Sequence, residues 1–293
     1  MRFASYAQNG RQGLATLVDT AWHGLTEADA GFPGTLLSLI QAGGAALAQA
    51  AETLAKAPVV DLDSVTLLPP ISNPGKIVCV GLNYTDHSAE SGFKQPDYPT
   101  LFGRFNSSLI AHGAPILRPA FSDQLDYEGE LVAIVGKTAR DVAEADALDY
   151  VSGYSIFNDA SIRDYQFKAP QWTPGKNFDD TGAFGPHFVT ADELPRGCEG
   201  LKLITRLNGQ VVQQASISDM VFSVAQLVSI LSNFMTLEPG DVIVTGTPSG
   251  VGLARKPPLW MRHGDTVEVE VEQIGILSNP VRDRDAVQPT KVA

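Results

Sequence analysis

The chain has 293 residues, of which 44% are hydrophobic and 18% are charged, and its formal net charge is −12. This length suits one large domain, or one large and one small domain. The negative charge argues against nucleic acids and anionic membranes as partners, and no apolar run approaches the length of a membrane span.

Two cysteines, Cys79 and Cys198, imply no disulfide framework, and the N-terminus shows no apolar signal-peptide core. We therefore expect a cytoplasmic protein. A small anionic substrate would need local cations, from arginine, lysine or a metal, to enter a site in so acidic a chain.

Residues 1–70 are predicted to form a small N-terminal subdomain. A short polar start leads into an alanine-rich stretch, residues 36–57, in which apolar residues recur at helical spacing. The pair Gly43-Gly44 is expected to divide this stretch into two helices. An extended piece follows, and residues 67–70 (Leu-Leu-Pro-Pro) are predicted to be a linker. We expect the subdomain to act as a structural cap or as an arm in a dimer.

Residues 71–293 are predicted to form a larger domain that is rich in strands. Compact apolar or alternating runs predict strands at residues 76–81, 241–246 and 266–272. One clear helix, with a single apolar face, is predicted over Ser223–Met235. Many strands, few helices and 19 prolines favour a β-rich α+β fold over a doubly wound sheet. The tail after Pro280 is polar and is expected to be loose.

Two glutamates, Glu128 and Glu130, lie two residues apart in a predicted strand and so point to the same face as Val132 and Ile134. Ionised carboxylates at an apolar surface are costly unless something neutralises them. A hard divalent cation with oxygen ligands does this well, and Asp159 is a third candidate ligand. The alternative is a solvated strand face with two ordinary glutamates.

A second pair of groups, His87 and Glu90, follows the first predicted strand of the larger domain. In a short helix the two residues would be neighbours on one face. A carboxylate beside an imidazole orients it and raises its basicity, as a general base requires. The segment between Gly81 and Gly92 could also order only over a substrate. The alternative is a surface helix with an incidental His–Glu pair.

If residues 158–166 are helical, their spacing places Asp159, Arg163 and Gln166 on one face of the helix. The cation and the amide would then lie behind the candidate metal ligand and suit a carboxylate substrate. An ordinary surface ion-pair face is the alternative. The next cation, Lys176, lies in a stretch whose composition predicts a loop.

A glycine-rich turn, residues 246–252 (Gly-Thr-Pro-Ser-Gly-Val-Gly), directly follows a predicted strand. Such a turn exposes backbone N–H groups that can hold an anion. It is neither a phosphate-binding P-loop, since no lysine follows the second glycine, nor a nucleophile elbow, since the order Gly-x-Ser-x-Gly is absent.

Five motifs follow one another in a specific order: Gly-x-Asn-Tyr-x-x-His-x-x-Glu, Tyr-Glu-x-Glu-Leu, Asn-Asp-x-Ser-x-Arg-Asp-x-Gln, Gly-Lys-x-Phe-Asp and Gly-Thr-Pro-x-Gly-Val-Gly. Together they resemble the fumarylacetoacetate hydrolase family over residues 75 to 280. The N-terminal part resembles the extra small domain, of α/β type, that many bacterial members carry. The resemblance implies a mixed β-sandwich roll, usually in a homodimer.

The resemblance also implies roles for individual residues. Ligands of Mg²⁺ or Mn²⁺ would be Glu128, Glu130 and Asp159. His87 and Glu90 would form the catalytic dyad on a lid helix, with Lys176 as a third catalytic group that stabilises an oxyanion. Substrate contacts would come from Arg163, Gln166, Thr247 and Tyr84. Arg104 stands where the family often has lysine, a departure expected to affect the substrate tail.

The implied reaction is metal-dependent hydrolysis of the carbon–carbon bond of a 2,4-dioxo acid, of acylpyruvate or fumarylpyruvate type, in aromatic catabolism. The metal would hold the enolate of a small anionic 2-oxo acid while His87 activates water. The same site could instead decarboxylate oxaloacetate, or isomerise or hydrate a 2-hydroxydienoate. A non-catalytic relative would be expected to lack one of the ligands or the dyad, and all five positions are present here.

Overall fold

The computed structural model describes residues 1–86 and 96–284, and its architecture is dominated by strands. The strands are β1 (Arg2–Gln8), β2 (Arg11–Val18), β3 (Ala21–Thr26), β4 (Thr66–Leu67), β5 (Ile77–Gly81), β6 (Thr100–Gly103), β7 (Leu109–Ile110), β8 (Ile116–Arg118), β9 (Leu125–Asp126), β10 (Gly129–Val135), β11 (Val151–Asp159), β12 (Ser161–Ile162), β13 (Gly182–Thr190), β14 (Lys202–Leu207), β15 (Gln210–Ser216), β16 (Val242–Val244), β17 (Thr266–Val271) and β18 (Gly275–Asp283). The predicted β-rich α+β class is confirmed.

The α-helices are short and few among the described residues. They are α1 (Leu36–Ala42), α2 (Gly44–Leu54), α3 (Arg163–Gln166), α4 (Thr173–Lys176) and α5 (Val224–Phe234). Single 3₁₀ turns or short 3₁₀ helices lie at Leu62–Ser64, Asn106–Ser108, Glu144–Tyr150, Ala191–Glu193, Arg196–Cys198, Ile217–Asp219 and Gly252–Ala254. None of the helices in this part of the chain is long and apolar enough to cross a membrane.

Two helix predictions are confirmed: the break between helices at Gly43-Gly44, and the helix between Ser223 and Met235. Gly43 ends α1 at φ 95°, a left-handed conformation that favours glycine, and so separates α1 from α2. Ser223 caps α5 by accepting from the N–H of Gln226, whose side chain accepts in turn from the N–H of Ser223.

The main sheet has the strand order β3-β2-β1-β13-β11-β10-β16-β5-β6, and β4 and β7 pair with its members. A second sheet, in the order β15-β14-β17-β18-β8, contacts β10 and β11. Leu131 and Ala133 of β10 pack in the core shared with the second sheet, whereas Val132 and Ile134 pack in a core that also contains residues of α1 and α2. β10 is therefore buried on both faces at the centre of the molecule.

The first 26 residues form an antiparallel meander rather than a short polar start. β1 pairs with β13, where Phe3 lies opposite Phe188, so these strands extend the main sheet. The alternation that marks a strand is blurred because small residues such as Ala4 and Ala15 take buried positions. The division of the chain into two domains at residue 70 stays a prediction. Leu67, the first residue of the predicted linker, and the preceding Thr66 form β4, which pairs with β1.

The C-terminal prediction needs a similar correction. Residues 281–283 are not a loose tail, because β18 pairs with β17 and, through Val281, with Ile116 of β8. Val281 is fully buried, and a single apolar side chain in a polar stretch was too weak a signal. Cys79 and Cys198 are both free and buried, as the absence of a disulfide framework requires.

His187 of β13 makes the folded protein sensitive to acid. Burial, against the opposing effect of the Ile274 carbonyl, lowers the pKa of His187 to about 4. The ring nitrogen Nε2 lies 2.7 Å from that carbonyl oxygen. Unfolding restores the pKa to about 6.5, so the unfolded state binds the extra proton between pH 6.5 and pH 4 and stability falls as the pH falls through that window.

We expect His187→Gln to lose this part of the acid sensitivity, about 2 kcal/mol between pH 7 and pH 5. Urea unfolding of both proteins at the two pH values measures it. The exposed His263→Gln is the matched control and should keep the wild-type slope. An unchanged slope in the His187 variant would show that other groups carry the effect.

Candidate active site

Pairing of β10 with β11 brings the three predicted ligands together. Gly129 lies opposite Asn158, and the N–H of Asp159 donates to the carbonyl of Glu128 at 2.9 Å. Oxygens of Glu128, Glu130 and Asp159, here called the acidic triad, all lie within 4.8 Å of one another. The three side chains belong to residues that are 5%, 2% and 0% exposed, which rules out a solvated strand face.

Three cations from the described part of the chain lie next to members of the acidic triad. Lys176 Nζ bridges two of its members, at 2.5 Å from Glu128 Oε2 and 2.6 Å from Asp159 Oδ2. Arg163 Nη2 lies 2.7 Å from Glu128 Oε1, and Arg104 Nε lies 2.5 Å from Asp159 Oδ1. Burial opposes the charge of Lys176, but Asp159 and Glu128 outweigh it and raise the pKa of the lysine. Lys176 therefore remains protonated at neutral pH.

Lys176 is not in a loop, as its sequence neighbours suggested, but ends the short helix α4. Gly175 allows this helix to pack against α3, since a Cβ at position 175 would lie 2.5 Å from the backbone nitrogen of Gln166. A closely packed pair of single-turn helices leaves no periodic pattern in the sequence, which is why composition predicted a loop.

The predicted helix over residues 158–166 is also wrong. β11 continues to Asp159, Ser161 Oγ donates back to the Asp159 carbonyl at 2.7 Å, and α3 begins only at Arg163. Pairing of β11 with both β10 and β13 outweighs any local helical preference. Gln166 still meets Arg163 as predicted, since Arg163 Nη1 donates to Gln166 Oε1 at 2.8 Å.

The glycine-rich turn at residues 246–252 holds the protein's own carboxylates. The N–H of Gly246 donates to Glu130 Oε2 at 2.5 Å. Gly246 has φ 103°, and a Cβ there would lie 2.7 Å from the Cβ of Asn83, so this close approach requires glycine. Burial, and then the charges of Asp159 and Glu128, raise the pKa of Glu130 well above its ordinary value.

Asp126 is a site residue that sequence reasoning left unassigned. It is fully buried and accepts from the N–H groups of Gly252 at 2.7 Å and Leu253 at 2.9 Å. It also accepts from Arg163 Nε at 2.8 Å, so one carboxylate joins the glycine-rich turn to α3. The available signal was its position two residues before Glu128, in the same acidic run.

Most of the predicted site residues line one narrow cleft. Its polar lining consists of Glu128, Glu130, Arg163, Gln166, Lys176 and Thr247. Phe102 and Trp172 form an apolar part of the wall, with their rings edge to face at 5.6 Å. Thr247 is held by its hydroxyl, which donates to the Gly129 carbonyl at 2.9 Å.

Asp159 lies behind the cleft wall, where Lys176 contacts it, and three further predicted residues are not placed in this cleft. Tyr84 is buried and lines a neighbouring cavity together with Asp86 and Asp219. His87 and Glu90, the predicted dyad, lie outside the described residues. The roles of these three residues stay predictions.

The donor set fits a hard divalent cation. Among the described residues, four buried carboxylates (Asp126 and the acidic triad) face only three cations, and Glu130 accepts from the neutral backbone N–H of Gly246. A buried surplus of negative charge at three convergent carboxylates is the arrangement that Mg²⁺ or Mn²⁺ stabilises. The acidic triad would hold the metal.

The fold and the site thus define a β-rich protein with a buried cluster of carboxylates that could hold a divalent cation. The family model for the fumarylacetoacetate hydrolase C-terminal domain matches residues 76–282. The chain belongs to this family, whose members include hydrolases, isomerases and tautomerases, and the resemblance drawn from the five motifs is confirmed.

Three relatives illustrate the range of the similarity. Rat mitochondrial oxaloacetate tautomerase Fahd2a is 38% identical over 255 residues, which cover 86% of this chain and 81% of the rat protein. The fumarylacetoacetate hydrolase structure from Exiguobacterium antarcticum has a TM-score of 0.84 and 36% identity, covering 97% and 100% of the two chains. Maleylpyruvate hydrolase from Sphingobium sp. SYK-6, solved with manganese(II) and pyruvate, has a TM-score of 0.79 and 27% identity, covering 97% and 99%.

Proposed function

We propose that this protein is a metal-dependent enzyme that acts on a small 2-oxo acid through its enol form. The observation that carries the proposal is the buried acidic triad, with Lys176 bridging two of its members at the wall of the cleft. A bound divalent cation would supply Lewis-acid polarisation of the 2-oxo group.

The chain's own residues would provide the remaining electrostatics. Lys176 offers a fixed positive charge that stabilises negative charge as it develops on the substrate oxygen. Arg163 is held by Asp126 and Glu128, and it fixes the Gln166 amide through Oε1. The NH₂ group of Gln166 is then the donor that this amide can offer to a substrate carboxylate. Phe102 and Trp172 would give one side of the cleft an apolar surface.

Our first candidate reaction is the interconversion of the keto and enol forms of oxaloacetate or a close 2-oxo dicarboxylic acid. The 38% sequence identity with the rat oxaloacetate tautomerase, over a match that covers 86% of this chain, favours this reaction. The reaction moves one proton between C3 and the 2-oxo oxygen: a C–H bond breaks and an O–H bond forms in the enol direction, and the reverse occurs in the keto direction. A positive charge beside that oxygen stabilises the intermediate enolate in both directions.

The second candidate is the hydrolysis of an acylpyruvate or fumarylpyruvate that the sequence predicts. The hydrolase structures from Exiguobacterium and Sphingobium favour it. It additionally needs an activated water, which the predicted dyad of His87 and Glu90 would provide. Since both residues lie outside the described part of the chain, this candidate depends on groups whose arrangement has to be tested directly.

Purified protein assayed with Mg²⁺, with Mn²⁺ and after EDTA treatment separates the candidates. We expect metal-dependent decay of the enol absorbance of oxaloacetate, with no pyruvate formed beyond the protein-free control. Metal-dependent loss of an acylpyruvate with stoichiometric pyruvate would favour hydrolysis instead. CO₂ release from oxaloacetate would indicate decarboxylation. Equal rates with metal and with EDTA on every substrate would contradict the proposal as a whole.

A further inference from the structure

Arg104 lies behind the acidic triad rather than in the cleft. Its side chain is fully buried, and the described residues that line the cleft do not include it. Nε lies 2.5 Å from Asp159 Oδ1, whereas the other oxygen, Oδ2, faces Lys176 at 2.6 Å. The expectation from sequence that Arg104 affects the substrate tail is therefore not what its position favours.

The guanidinium of Arg104 contacts the backbone next to Asp159 as well as its carboxylate. Nη2 donates to the carbonyl of Ala160 at 2.7 Å, and weaker contacts reach Ser108 Oγ at 3.4 Å and Thr181 Oγ1 at 3.5 Å. The cation also lies 5.5 Å from the centre of the Phe157 ring. A planar fork can hold a side chain and a neighbouring main-chain carbonyl at once, which a single ammonium group does less rigidly.

Space for this fork is provided by Gly182. In the pairing of β11 with β13, Gly182 is the residue directly opposite Asp159. A Cβ at position 182 would lie 2.1 Å from Arg104 Nη1 and 3.2 Å from its Cζ. Any larger residue at position 182 would therefore displace the buried end of Arg104, and its Cβ would also lie 3.0 Å from Phe157 Cζ.

We propose that Arg104 is a positioning residue that holds the Asp159 carboxylate through Oδ1 in the orientation that the acidic triad needs to bind a metal, and that Gly182 is required for it to do so. The inference rests on the metal site of the proposed function. The proposal predicts that the effects of substitutions at positions 104 and 182 depend on each other. Arginine at position 104 requires glycine at position 182, whereas the narrower, unbranched end of a lysine would tolerate alanine there.

A double-mutant cycle on metal affinity tests the pairing. Mn²⁺ binding to the full chain, without substrate, is measured by electron paramagnetic resonance for wild type, Arg104→Lys, Gly182→Ala and the double variant. We expect Gly182→Ala to weaken Mn²⁺ binding about 10- to 100-fold, as for other groups that orient a metal ligand. Arg104→Lys alone should cost only a few-fold, and in the double variant lysine should restore most of the affinity.

Gly103→Ala is the matched control, because its Cβ would meet nothing closer than the Ile77 carbonyl at 3.8 Å. It should bind Mn²⁺ like wild type, and thermal unfolding confirms that every variant compared is folded. Wild-type affinity in Gly182→Ala, or a double variant as weak as Gly182→Ala, would overturn the pairing. A wild-type protein that binds no Mn²⁺ would overturn the metal site itself, and with it this inference, which keeps the two failures distinct.

Discussion

Glu128→Gln is expected to lower turnover of the 2-oxo acid substrate by at least about 100-fold, and to weaken Mn²⁺ binding measured without substrate. The amide keeps the shape of the side chain but removes the negative charge that both Lys176 and Arg163 contact. The metal would lose one of three anionic ligands, and Lys176 would lose one of the two carboxylates that hold it in place.

Turnover and metal affinity should be measured on the same preparation. Glu268→Gln on β17 is the matched control, since it makes the same chemical change outside the cleft, and it should retain wild-type values. Wild-type turnover in Glu128→Gln would remove this carboxylate from the proposed site. Lost turnover with unchanged Mn²⁺ affinity would instead restrict its role to holding Lys176 and Arg163.

Asp126→Ala is expected to have the largest effect on folding, lowering the free energy of unfolding by about 3–5 kcal/mol. The substitution removes the acceptor of two N–H groups, those of the buried Gly252 and the half-buried Leu253, and one ionic partner of Arg163. A buried guanidinium left with fewer partners is costly, and the glycine-rich turn loses its attachment to β9.

Urea unfolding followed by far-ultraviolet circular dichroism measures this loss. Asp126→Asn keeps one carbonyl oxygen and should lose less than the alanine variant. Replacing the exposed Asp146 with alanine is the control and should change the free energy of unfolding by less than about 0.5 kcal/mol. A loss in Asp126→Ala no larger than that of the control would show that the turn is held by other contacts.

The sequence was most informative where a residue's neighbours in the chain decide its structure. The period of two in the acidic run placed Glu128 and Glu130 on one face, and the apolar face between Ser223 and Met235 located α5. These features depend on spacing alone. The carboxylate predictions were therefore correct in their convergence even though Asp159 lies on another strand.

The sequence was least informative where pairing with strands distant in the chain decides the structure of a segment. The segment after Asp159 has helical spacing of polar groups, but β10 and β13 pair with the preceding strand and fix its end. Arg104 could be noted as unusual but not placed, because its partners Asp159 and Gly182 are 55 and 78 positions away. The polar appearance of residues 1–26 likewise hid strands whose burial depends on β13.

The pairing of β1 with β13 has a consequence for any attempt to trim this protein. Removing residues 1–26 would leave the end of β13 at Phe188 and Val189 as an open sheet edge without its strand partner, and would uncover Phe188. Such an edge invites other chains to add to it. A shortened variant that keeps every residue of the cleft would therefore be expected to self-associate into insoluble material.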